Sequence, residues 1–93
     1  MTIRRARRIN GIDARIRRTI ARGMKYFSFG VNYNNEPDVY EYYFRAKDEH
    51  EVSEATGVDP EYINPCSMDE IRAAIRHGKH IDTVINGRLV EAE

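Results

Sequence analysis

"KYFSFGVNYNNEPDVYEYYFRA", residues 25–46, decides the fold. Phe27, Phe29, Val31 and Tyr33 alternate with Tyr26, Ser28, Gly30 and Asn32, the period of a strand that turns one face toward a core. Residues 34–38 break the pattern with turn-forming types, and Pro37 has no N–H to give to a ladder. Tyr40, Tyr42, Phe44 and Ala46 then restore it on a returning strand. The stretch predicts an antiparallel hairpin. Its Phe27 and Phe29 face is expected in the core. The opposite face, carrying Tyr26 and Tyr43, is expected at the surface as a contact patch, because tyrosine is enriched at interfaces.

Downstream, Asp48 and Glu51 have capping-box spacing and Gly57 closes a short helix. Asp59 before Pro60 suits one more helical turn. Ser67 and Glu70 form a second capping box, opening a helix that runs to His77 and stops at Gly78, with Met68, Ile71 and Ile75 as its buried stripe. Asn86-Gly87 marks a hairpin turn. Upstream, Ile9, Ile12, Ile16 and Ile20 fall on one arc of a helical wheel. Arg4, Arg7, Arg8, Arg15, Arg18 and Arg22 gather on another, with Arg5 and Arg17 outside it. Gly11 weakens the helix, which is expected to begin near Asp13 and end at Gly23, leaving residues 1–12 as a mobile basic arm. The order α-β-β-α-α-β-β implies one α+β domain over residues 1–93: antiparallel hairpins with helices packed on one face and a basic N-terminal helix.

The formal net charge of zero hides a split. Residues 1–25 hold nine Lys/Arg and one Asp, whereas residues 26–93 hold six Lys/Arg and fourteen Asp/Glu. Such asymmetry points to nucleic acid, a membrane surface or an acidic partner. No apolar run approaches the ~20 residues of a membrane span, so no membrane partner is read. The basic start has no serine, unlike an organelle transit peptide. Cys66 is the single cysteine and has no internal disulfide partner, which suits a reducing, cytoplasmic compartment.

Arginine favours bidentate contact with phosphate or carboxylate, and each neutralised phosphate releases counterions. The candidate partner-binding residues are therefore Arg4, Arg7, Arg8, Arg15, Arg18 and Arg22, joined by Lys25, Tyr26 and Tyr43. Lys25, Phe27 and Phe29 match the start of the RNA-recognition-motif signature. Tyr26, Gly30 and Asn32 break it, so no membership follows. The acids between Asp48 and Glu70 are read as a solvated face, several serving helix N-termini. His77-x-x-His80 lacks the further ligands of a closed zinc site, and neither Cys66 nor His50 belongs to a recognisable catalytic set. No cofactor or metal is expected.

These features favour a non-enzymatic binding protein that engages a polyanion, either nucleic acid or a nucleoprotein complex. In size and charge style the chain resembles small phage-borne inhibitors and regulators, anti-CRISPR proteins among them, a resemblance of layout and not of motif. The alternatives are a homodimer whose basic helix docks on an acidic protein surface and, third, a small hydrolase using His50 or His77.

Overall fold

The hairpin read from residues 25–46 sits at the centre of the sheet. The structure, a computed structural model, describes residues 11–32 and 38–90. Strands β1 (Lys25–Val31) and β2 (Tyr40–Ala46) pair antiparallel, from Lys25 opposite Ala46 to Val31 opposite Tyr40. Strand β3 (Asn64–Pro65) flanks β1, and β4 (Ile81–Ile85) lies parallel to β2 with Arg45 opposite Thr83. Strand β5 (Arg88–Val90) closes the order β3-β1-β2-β4-β5. Asn86 and Gly87 both take positive φ, 53° and 72°, as a tight hairpin turn matched to strand twist requires. The sheet is therefore mixed: two antiparallel hairpins meet along a parallel seam.

Helix α1 covers Gly11–Ala21, α2 Glu49–Thr56 and α3 Met68–Arg76. The local signals explain their ends. Asp48 accepts a 3.0 Å hydrogen bond from the Glu51 N–H, and Gly57 ends α2 in the left-handed region at φ 81°. Ser67 and Glu70 form the full reciprocal capping box at 3.1 and 2.8 Å. A 3₁₀ turn spans Pro60–Tyr62, although no side-chain hydrogen bond from Asp59 caps it. Gly11 and Ile12 are helical, so the helix does not wait for Asp13. The remainder of the expected arm, residues 1–10, lies outside the described residues.

Helices on one face of the sheet were the expectation, and this is corrected: they cover both. Alternate residues of a strand point to opposite faces. Phe27, Phe29, Phe44, Ala46 and Val84 pack with Val52 of α2 on one side. Tyr26 and Ile81 pack with Ile16 of α1 and Ile71 of α3 on the other. The cause is visible in β1, whose residues 26–29 are all buried, the mark of an interior strand covered on both faces. Two apolar stripes are also shorter than their periodicity suggests. Met68 is exposed and Ala74 takes its place in the core, while Ile20 is 54% exposed beyond the end of the packed region.

The difference between Ile16 and Ile20 gives a direct check. Ile16→Ala should lower unfolding free energy by about 2–5 kcal/mol, the usual range for a buried isoleucine. Ile20→Ala should change it by less than about 0.5 kcal/mol. Urea denaturation followed by circular dichroism reads both.

Candidate functional site

Arg15, Arg18 and Arg22 lie three and four residues apart, so helical geometry stacks them along one side of α1. They form one wall of a concavity of about 610 Å³. Arg45 of β2, Ile81 of β4 and Thr19 make its floor, while Lys79 and His80, between α3 and β4, form the opposite rim. All three wall arginines are exposed, as are Lys79 and His80, while Arg45 is half-buried. Among the described residues no acidic one lines this hollow. Among the described residues no carboxylate lies within 4.0 Å of Arg15, Arg18, Arg22, Arg45 or Lys79. Two unit charges about 8 Å apart repel by about 0.5 kcal/mol in a water-like dielectric, so the folded cluster carries a modest, uncompensated repulsion.

Arg45 adds a second cost. Its Nε is fully buried and has no hydrogen-bond partner among the described residues. Buried donors are normally paired, and an orphan calls for a reason such as a missing ligand. The nearest histidine–carboxylate pair is His80 Nε2 with Asp82 Oδ1 at 2.8 Å, on a rim where the His80 side chain remains largely in solvent. Among the described residues no three of His, Cys, Asp and Glu come together as metal ligands.

The orientation of α1 follows from its inner side. Thr19 Oγ1 donates to the Arg15 carbonyl at 3.1 Å, leaving its oxygen to accept the Tyr26 hydroxyl at 2.8 Å. Tyr26 is thereby only 7% exposed. Its expected place in a surface patch is corrected: a buried tyrosine needs a partner for its hydroxyl, and Thr19 supplies one. On the far side of α1, the Arg72 Nε of α3 donates to Asp13 Oδ1 at 2.8 Å and fixes the two helices together.

The other candidates spread out. Tyr43 is half-buried beside the Ile16, Tyr26 and Ile71 cluster, where burial first, and then nearby Glu41, pushes its phenol pKa up. Lys25 is exposed and borders a different, apolar hollow of about 300 Å³ with Ile20, Met24, Cys66 and Met68. Burial also raises the pKa of the Cys66 thiol. Arg4, Arg7 and Arg8 lie outside the described residues. Sequence reasoning missed Arg45, Lys79 and the rim position of His80, because nothing periodic ties them to α1. The one available hint was Arg45 between the apolar Phe44 and Ala46 near the end of its strand. Among the described residues no helix is long and apolar enough to cross a membrane. Neither the family models nor the curated proteins nor the solved structures include a match to this chain.

Arg45→Met keeps an unbranched chain while removing the orphaned donor and one of the crowded charges. It should leave stability unchanged or raise it by about 1 kcal/mol, since a buried unsatisfied donor costs on that order. A urea midpoint that falls by more than the experimental error would mean that Arg45 is there for the fold and not for a ligand.

Proposed function

We propose that this protein is a non-enzymatic polyanion-binding protein whose ligand is nucleic acid or a nucleoprotein complex, held in the α1–β2–β4 cleft. The observation that carries this reading is the convergence of Arg15, Arg18, Arg22, Arg45 and Lys79 from three parts of the chain on one hollow that has no acidic lining residue among those described. A solvated helix face explains exposed arginines on α1. It does not explain why a half-buried arginine of the sheet and a lysine of a separate loop aim into the same space. A phosphate chain relieves the repulsion among these cations. It also releases its own counterions, the dominant gain in most protein–nucleic acid association.

The same cations would suit an acidic protein surface, and a small phage-type inhibitor acting on a nucleoprotein assembly is one setting for either partner. Self-association through charge is a weaker version. The acidic α2, with Glu49, Glu51 and Glu54, packs on the sheet face opposite α1, and its Glu51 reaches the hollow next to Arg22. A basic face meeting an acidic face would then join copies head to tail.

Binding of fluorescent single- and double-stranded DNA and RNA over a salt series tests the proposal. Log affinity should fall linearly with log salt, with a slope of about −0.7 to −0.9 per phosphate contacted. Arg15→Glu, Arg18→Glu and Arg22→Glu together should abolish binding while leaving the far-ultraviolet spectrum intact. Binding to every nucleic acid that is weak and insensitive to these changes would end the reading.

A further inference from the structure

The basic cleft does not stop at Ile81. Past Arg22 and Arg45 it opens into a second hollow of about 310 Å³, whose remaining lining is Thr19, Met24, Thr83, Ile85 and Val90. Register explains the continuity. Ile81, Thr83 and Ile85 share one face of β4 by the two-residue period, Arg45 sits opposite Thr83 on one side, and Val90 sits opposite Thr83 on the other. This floor is aliphatic and open to solvent: Ile85 is 48% and Val90 40% exposed. Beyond it cations return. Arg88 faces Ile85 across the last hairpin. Lys47 lines a third hollow, which shares Arg22, Met24 and Ile85 with the second. The acid there, Glu51, already accepts the Gly87 N–H at 2.6 Å.

We infer, building on the polyanion reading above, that the ligand is single-stranded nucleic acid, its sugar–phosphate backbone along the arginine wall and its bases on the apolar floor of β4 and β5. Four properties of the groove select that class. An inorganic polyanion has no use for an aliphatic floor. A duplex keeps its bases stacked inside a cylinder too wide for a hollow of a few hundred cubic ångströms. A single strand carries phosphates and unstacked bases on one molecule, and both requirements are met at once. Finally, Arg15, Arg18 and Arg22 rise along α1 by about 4.5 and 6 Å. Evenly spaced cations suit a chain with one negative charge per unit, which a strand has and an ordinary acidic peptide has not. The floor between Ile81 and Ile85 is four residue steps of about 3.3 Å, room for a short stretch of strand.

The test uses the full chain and four probes compared at equal concentration of negative charge: an oligothymidylate of about 12 nucleotides, a duplex of the same length, inorganic polyphosphate and polyglutamate. Fluorescence anisotropy, direct for labelled probes and by competition for the rest, should place the oligothymidylate at least about tenfold tighter than the other three. Ile85→Thr with Val90→Thr keeps β-branched residues on the strands while removing apolar surface. The pair should weaken oligothymidylate binding several-fold, leaving polyphosphate binding and thermal unfolding as they were. Equal or tighter binding of duplex, polyphosphate or polyglutamate overturns the single-strand inference and leaves the polyanion reading standing. So does a double variant with unchanged oligothymidylate affinity. Failure of all four probes to bind overturns both.

Discussion

One hydrogen bond, between Thr19 and Tyr26, sets which way the charged helix faces. The apolar stripe of α1 is too short to do so alone: Ile16 is fully buried, Ile12 is half-buried and Ile20 is out in solvent. A helix seated by a single buried residue can roll. The two hydroxyls meet in a dry place, and leaving the Tyr26 hydroxyl unpaired would cost about 1–3 kcal/mol, more than the bond itself contributes on balance. Rotation is therefore penalised more than the correct seating is rewarded. Thr19 lies three residues after Ile16, on the inner side, which leaves Arg15, Arg18 and Arg22 along the edge that overlooks β2 and β4. Asp13, bonded to Arg72, pins the same helix from the α3 side. A roll of one residue, about 100°, would take the arginine row away from Arg45.

Features encoded within a few residues were legible from sequence. The β1–β2 hairpin follows from alternation, the Ser67–Glu70 capping box and the Asp48 N-cap from three-residue spacing, and the last hairpin from Asn86-Gly87. The other half of the Asp48–Glu51 box does not form, because the Glu51 side chain turns to the Gly87 N–H. Features created by distant pairing were not. β3 is two residues long and contains Pro65, a residue found in sheets only at edges, bulges or strand starts, so no periodic signal marks it. The parallel seam between β2 and β4 joins segments some 40 residues apart, and nothing local specifies it. Half of the cleft depends on that seam, for it brings Arg45 beside Ile81 and Thr83. The arginine wall was readable; the floor and far rim were consequences of topology. Tyr26 misled for a different reason. Its ring behaves as a core residue and its hydroxyl as a surface one, and only the partner decides between them.

The cleft stands out because it breaks rules that the rest of the domain obeys. Elsewhere α2 and α3 are capped by Asp48 and Ser67, Asp13 and Asp82 are engaged with basic side chains, and Ser67 and Glu70 satisfy each other. At Arg45 the chain keeps a buried donor that has no acceptor among the described residues and places it among like charges. A protein of this size has little surplus stability, since its core is small relative to its surface. Local inconsistency in an otherwise consistent sequence is the pattern found at functional sites.

Acidic side chains lie on both sides of the sheet: Glu49, Glu51 and Glu54 on α2, and Asp69 and Glu70 on α3, which packs beside α1. An isologous dimer needs each copy to present its basic and acidic patches to the same partner at once. Asp69 and Glu70 share the α1 side of the sheet with the cleft, so the layout is compatible with that pairing as well as with a head-to-tail one. Under the proposed function, a nucleic acid strand in the cleft would neutralise the basic side chains and leave exposed acids such as Glu54, Asp69 and Glu70 facing outward. A second strand would then meet negative charge. A chain of zero formal net charge would thus become negative in the complex, which opposes the cross-bridging of strands that a uniformly basic protein of this size would produce.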